Sequence, residues 1–134
     1  MVRIERVTDR RQLDIIRDLG IVTPEFTAGD TVIFWPLETL QSWYESDAGA
    51  MLVALSDTSE IVGYALATYH GSKIATFENL QVLSEWRGTG IGHRLISALE
   101  SDAQLAGMEF VRTLFKVAND PIASLFSNTN RQNS

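Results

Sequence analysis

The sequence has no cysteine, only two histidines and only three prolines. Without cysteine, disulfides and thiolate metal sites are excluded, and packing must hold the fold. The histidines, His70 and His93, lack the spacing of a metal-ligand pair. No apolar run approaches the ~20 residues that cross a bilayer. The start, Met1-Val2-Arg3-Ile4-Glu5, carries an acidic residue and none of the apolar core of a signal peptide. A chain without a membrane partner is expected, with the cytoplasm as its location. Positive charge is scarce as well: 11 Lys and Arg stand against 17 Asp and Glu, a formal net charge of −6. That balance opposes general attraction to nucleic acid and suits a cationic partner. The absence of a Gly-x-Ser-x-Gly elbow removes the serine-hydrolase reading.

What is present is apolar material for one core. Of 134 residues 45% are hydrophobic, enough for one core and too few for two, so residues 1–128 are expected to form a single domain. The polar end, residues 129–134, has nothing to bury and should fray.

The chain is organised around the stretch Val82-Leu83-Ser84-Glu85-Trp86-Arg87-Gly88-Thr89-Gly90-Ile91-Gly92-His93-Arg94-Leu95. An apolar run passes through three alternating glycines into an amphipathic helix, the pattern of strand, anion-binding turn and helix. Glycines remove the Cβ atoms that would hold a ligand off the backbone, and they permit positive φ where amides must converge. The helix start adds unpaired N–H groups and a partial positive charge, a setting for phosphate or pyrophosphate. Arg87, His93 and Arg94 make a local basic cluster there, although a solvated helix face would show the same three residues. A dinucleotide fingerprint requires glycine where His93 stands, and a P-loop requires Lys then Ser or Thr where the chain has His93-Arg94.

What remains is R-x-x-G-x-G/A, read as Arg87-Gly88-Thr89-Gly90-Ile91-Gly92. With Glu78-Asn79-Leu80-Gln81-Val82 upstream and Asn119 and Leu125-Phe126 downstream, the chain resembles the GNAT superfamily of acetyltransferases, which move an acetyl group from acetyl-coenzyme A to an amine. The resemblance covers roughly residues 50 to 128.

The order of elements agrees with that resemblance. Val2, Ile4 and Val7 support a first strand. Asp9 and Gln12 are placed as a capping box for a helix with Leu13, Ile16 and Leu19 on one face and Gly20 as its stop. Residues 21–35 form a long irregular segment rich in large apolar side chains, either a substrate-side loop or a plug for the edge of the core. Pro36 opens a second helix with Leu37, Leu40 and Tyr44 on one face. Strands at 50–55, 61–69 and 74–83 follow as an antiparallel meander, joined by turns at Ser56-Asp57-Thr58-Ser59 and His70-Gly71-Ser72-Lys73. A long helix then carries Ile91, Leu95, Ala98, Leu99, Asp102 and Leu105 as its stripe and ends near Gly107. A fifth strand at 110–117 and a helix opened by Asp120-Pro121 complete the order β-α-α-β-β-β-α-β-α.

This is an α/β (α+β) chain with a GNAT-like mixed sheet, lacking the two strands with which the family's sheet normally finishes. Their absence leaves the fifth strand as an edge, for which a second copy of the chain, forming a homodimer, or another partner is an expected cover.

Amine acetylation needs a base, donors for the thioester oxygen and a proton for the departing thiolate. Glu78 is the candidate base. Counting by two along the fourth strand puts it on a face with Thr76, Leu80 and Val82, apolar surroundings that suit a general base. The other reading is an edge glutamate paired to Lys73 or Arg112. The resemblance implies that the backbone of Leu80, Gln81 and Val82 pairs with the pantetheine arm like an added strand. It also implies that residues 87–92, Arg87, Gly88, Thr89, Gly90, Ile91 and Gly92, hold the diphosphate, and that Asn119 contacts the arm. Asn119 is equally placed to cap the last helix.

Phe126 stands where many relatives carry a tyrosine that gives the thiolate its proton, and phenylalanine has none to give. Water, or the acidity of the thiol itself, must serve instead, or Tyr64 or Tyr69 substitutes. A catalytically silent acetyl-CoA-binding module, completed by a partner chain, is the alternative. The acidic residues Glu25, Asp30, Glu38 and Glu45 near the acceptor side favour a cationic amine.

Overall fold

The computed structural model describes residues 2–21, 27–28, 31–32, 35–46, 48–71 and 73–113. Its elements run β1 (Arg3–Arg6), α1 (Arg10–Ile21), β2 (Thr27–Ala28), β3 (Thr31–Val32), α2 (Leu37–Ser46), β4 (Gly49–Leu55), β5 (Ile61–His70), β6 (Ile74–Val82), a 3-10 turn (Ser84–Trp86), α3 (Ile91–Leu105) and β7 (Phe110–Thr113). The main sheet has the order β1-β4-β5-β6-β7, and β2 and β3 form a separate small hairpin. All neighbours in the main sheet are antiparallel except β6 and β7, which are parallel because the crossover between them runs through α3. The fourth and fifth strands expected from sequence are thus β6 and β7. Of the expected 110–117 strand, residues 114–117 lie outside the described residues, as do the last helix, Asn119 and Phe126.

Two apolar layers cover the sheet. On one face α3 lays Ile91, Leu95, Ile96, Leu99 and Ala103 against Ala50, Leu52, Ala54, Val62, Ala65 and Phe77. On the other, Leu13 and Ile16 of α1 and Leu40 and Trp43 of α2 pack on Met51, Val53, Tyr64 and Leu66. β4 is buried along its whole length for this reason, and reads as one apolar run rather than an alternation.

The ends of the helices follow their sequence signals with shifts. Asp9 Oδ1 accepts the N–H of Arg11, while Gln12 Oε1 reaches one residue further back than a capping box requires, to the N–H of Thr8. Gly20 does not stop α1: it is buried within the helix, which runs to Ile21. Pro36 precedes the first helical residue of α2, its carbonyl accepting from the N–H groups of Thr39 and Leu40. At the C-terminal end of α3, the longest helix among the described residues, Gly107 adopts φ +85°. Its N–H bonds the carbonyl of Gln104 and that of Met108 the carbonyl of Ala103, closing α3 in a Schellman motif. Leu105, expected on the apolar stripe, is 90% exposed. It sits about 200° around the helix from buried Ala103, at ~100° per residue, so the true stripe is 91, 95, 96, 99 and 103.

Candidate active site

Two features of β6 position the site. The first is a β-bulge. Leu66 of β5 pairs with Asn79 and the next residue, Ala67, pairs with Phe77, so Glu78 is the extra residue with no partner across the ladder. Counting by two fails at this point. Ala75 and Phe77 face α3, and beyond the bulge so do Leu80 and Val82. The carboxylate of Glu78 therefore does not share a face with Leu80 and Val82. It faces α2, and its Oε2 accepts from the hydroxyl of Thr68, Oγ1 to Oε2 2.6 Å. The alternative pairing with Lys73 or Arg112 is not what is seen. Lys73 lies 3.6 Å from Glu109, and Arg112 Nη2 donates to Thr76 Oγ1 at 3.2 Å.

The second feature is the extent of pairing. β7 covers β6 only from Ile74 to Phe77. From Glu78 to Val82 the side of β6 turned away from β5 has no strand partner among the described residues. Leu80 and Gln81 are partly buried there, and the Val82 side chain sits in the core.

Glu78 opens onto a cleft of about 470 Å³ between α2 and the sheet. Trp35, Glu38, Thr39, Ser42 and Trp43 line it from the α2 side, and Thr68 and Glu78 from the sheet. Trp35 and Trp43 meet edge to face, with centroids 5.8 Å apart and planes at 74°. Trp43 Nε1 donates to the carbonyl of Ala67 at 3.1 Å, which fixes α2 to the middle of the sheet. Two carboxylates, Glu38 and Glu78, are the charged groups of this lining. Of the other acidic residues expected near the acceptor, Glu45 is instead ion-paired with Arg10 of α1, and Glu25 and Asp30 lie outside the described residues.

At the far end of β6 the chain makes a 3-10 turn and enters the glycine segment. Gly88 and Gly90 adopt φ +82° and +87°, and a Cβ placed on either would meet no protein atom within 4 Å. Gly90 is the N-cap of α3 and offers no side chain to the first turn, which carries no acidic residue. Among the described residues no side chain caps that turn, which is the arrangement an anion site at a helix start requires. Gly88, Thr89 and Gly90 are exposed and Gly92 is partly so, whereas the Ile91 side chain is buried and only its main chain is available. Arg87 folds back, Nε donating to the carbonyl of Val82 at 2.9 Å, and ties the turn to the strand end. Thr89 Oγ1 donates to the carbonyl of Trp86 at 2.6 Å. These residues fit a diphosphate by backbone and dipole. Arg94 is exposed and His93 half-buried on the same turn.

The sequence profile of the acetyltransferase (GNAT) family matches residues 21–127. The chain belongs to that family. As a GNAT acetyltransferase it is an acyltransferase, and the family generally uses acetyl-CoA. Among curated proteins none matches the sequence significantly. The fold is shared with an N-acetyltransferase from Staphylococcus aureus Mu50, at 16% identity and TM-score 0.73, over 97% of this chain and 82% of that one. It is also shared with an aminoglycoside acetyltransferase from an uncultured soil metagenomic sample, solved with sisomicin, at 24% identity and TM-score 0.67, over 97% and 87%. The ribosomal-protein-S18-alanine N-acetyltransferase of Escherichia coli matches at 15% identity and TM-score 0.70, over 96% and 76%.

Thr68, His70 and Trp43 escaped the sequence reading, and one signal could have found the first two. Thr68 and His70 on one arm and Thr76 and Glu78 on the other make a mirrored pair of polar positions around the turn at 71–73, with Thr68 directly opposite Thr76. Read as a hairpin in that register, they converge on one face.

Proposed function

We propose that this GNAT acetyltransferase transfers the acetyl group of acetyl-CoA to a primary amine, with cationic amines as its preferred acceptors. The observation that carries the reading is the continuity of β6. An open glycine turn at its end, uncapped among the described residues, suits a diphosphate, and the side from Val82 back to Glu78, which no described strand pairs, suits an extended pantetheine arm. That stretch spans about 13 Å, four residues at ~3.3 Å each. The backbone of Leu80 and Gln81 offers hydrogen bonds in the manner of strand addition, while the amides around Gly88, Thr89, Gly90, Ile91 and Gly92 take the negative charge. Bound there, acetyl-CoA supplies an activated thioester.

The amine enters from the α2 side. Glu38 and Glu78 attract its positive charge, and the Trp35 face supports its alkyl part. Glu78 takes a proton from the nitrogen, whose lone pair then forms the bond to the acetyl carbon as the carbon–sulfur bond breaks. A thiol with an ordinary pKa of ~8.5 leaves as thiolate without a dedicated acid. The acceptors named for the structural neighbours, an aminoglycoside and the alanine of a ribosomal protein, are chemically far apart, so the acceptor here is argued from the cleft and not from them.

The test is thiol release from acetyl-CoA with putrescine, spermidine, sisomicin and a peptide with a free amino terminus, alongside calorimetric titration of acetyl-CoA. Turnover is expected on at least one amine, with Glu78→Gln lowering kcat by ~100-fold or more and leaving acetyl-CoA affinity nearly unchanged. Binding without turnover on any of them would favour the silent module.

A further inference from the structure

We infer that Thr68 and His70 form a donor chain that orients the Glu78 carboxylate for proton abstraction, tying one oxygen so that the other faces the cleft. The inference rests on Glu78 acting as the base. The geometry is specific about direction. A threonine hydroxyl has one hydrogen, and that of Thr68 goes to Glu78 Oε2 at 2.6 Å. Towards His70 Nε2, 3.3 Å away, Thr68 Oγ1 can then only accept, which requires a proton on that ring nitrogen. The same N–H is 3.1 Å from Thr76 Oγ1, which also accepts from Arg112 Nη2 at 3.2 Å. Three strands thus contribute to one hydrogen-bonded network: Thr68 and His70 from β5, Thr76 and Glu78 from β6, Arg112 from β7.

Glu78 needs such support because of where it sits. As the bulged residue it has no cross-strand partner. Across the cleft it meets Glu38, a like charge, and among the described residues the cleft lining carries no cation. The donor behind Thr68 is the His70 ring, exposed to solvent at the end of β5, and Arg112 is held beside it on fully buried Thr76. Donors in series polarise one another and strengthen the last bond, the one to the carboxylate. With Oε2 held, Oε1 is the oxygen left to meet the amine. Thr68 and His70 act through the Glu78 carboxylate and not on the reacting atoms, so they are positioning residues whose effect appears in kcat.

The experiment compares Thr68→Val, which keeps shape and strand preference but removes the hydroxyl, with Thr68→Ser, and His70→Ala with His70→Gln, which keeps an N–H at similar reach. The amine turned over fastest among putrescine, spermidine and sisomicin is the probe, and circular dichroism melts check folding. Thr68→Val and His70→Ala are expected to lower kcat roughly tenfold with both KM values within about twofold, and Thr68→Ser and His70→Gln to recover most of the loss. In protein labelled with 13C at glutamate carboxyls, the Glu78 resonance, assigned by its loss in Glu78→Gln, is expected to change its chemical shift at pH 7 in Thr68→Val and His70→Ala as the hydrogen bond to Oε2 is lost or weakened. That readout needs no acceptor. Unchanged kcat and an unmoved Glu78 resonance in both variants, with Glu78→Gln still inactive, would overturn the donor chain while leaving the base in place. An active Glu78→Gln would instead remove the base.

Discussion

Asp9 shows how much a single side chain can do at a helix start. Its carboxylate accepts from both the backbone and the side chain of Arg11, and the side-chain bond, ahead of the backbone bond, holds its pKa below the ordinary 3.8. A depressed folded value means that this contribution is complete above the unfolded pKa and is lost as pH falls through the folded one. Asp9→Ala is therefore expected to lower Tm at pH 7 and to matter far less near pH 3, as thermal melts at the two pH values would read. Gly90 makes a second residue-scale test. At φ +87° an alanine is strained by ~1 kcal/mol or more, and its Cβ would project into the open space above the turn. Gly90→Ala should cost that much stability by urea titration and weaken acetyl-CoA binding severalfold by calorimetry. A stability loss with undiminished binding would mean that the carrier lies elsewhere. Glycines 88 and 90 were legible in the sequence because their chemistry is local: no distant contact is needed to make an αL cap out of a glycine before an apolar helix.

At the level of elements, periodicity carried the order of helices and strands, and it failed where one residue broke the period. The bulge at Glu78 shifts the facing of everything after it, so a count by two along β6 assigns the carboxylate the wrong neighbours. Nothing in Phe77-Glu78-Asn79 announces the extra residue, since a bulge is a property of two strands and not of one. The tiny β2–β3 hairpin is invisible for a similar reason, with only two residues per strand. In α2 the sequence showed Leu37, Leu40 and Tyr44 but passed over Trp43, the residue that docks the helix through Ala67 and walls the cleft. Trp43→Phe keeps most of the apolar surface yet leaves that carbonyl without its donor, and ~2 kcal/mol of stability should be lost. Urea denaturation measures it. A change below half that value would show that the carbonyl finds water.

Across the whole molecule, charge is divided by task. The chain is net −6, its cleft presents two carboxylates, and the glycine turn has Arg87 and Arg94 beside it. On the proposed reading, two substrates of opposite sign are drawn to two different places along β6, its middle and its C-terminal end. Raising salt from about 0.02 to 0.5 M shortens the screening length from roughly 20 Å to about 4 Å, so KM for a polyamine acceptor should rise severalfold while kcat holds. An uncharged aromatic amine should show little change in KM, and equal sensitivity of the two would remove Glu38 from acceptor choice. Among the described residues no helix is long and apolar enough to cross a membrane.

The half-covered strand β6 has one more implication, for the life of the protein rather than its turnover. A carrier that completes the ladder from Glu78 to Val82 binds the folded chain alone, so occupancy adds to folding free energy, by about 2.7 kcal/mol when free carrier exceeds its Kd a hundredfold. On the proposed reading, cells rich in the carrier would hold this chain longer than cells poor in it.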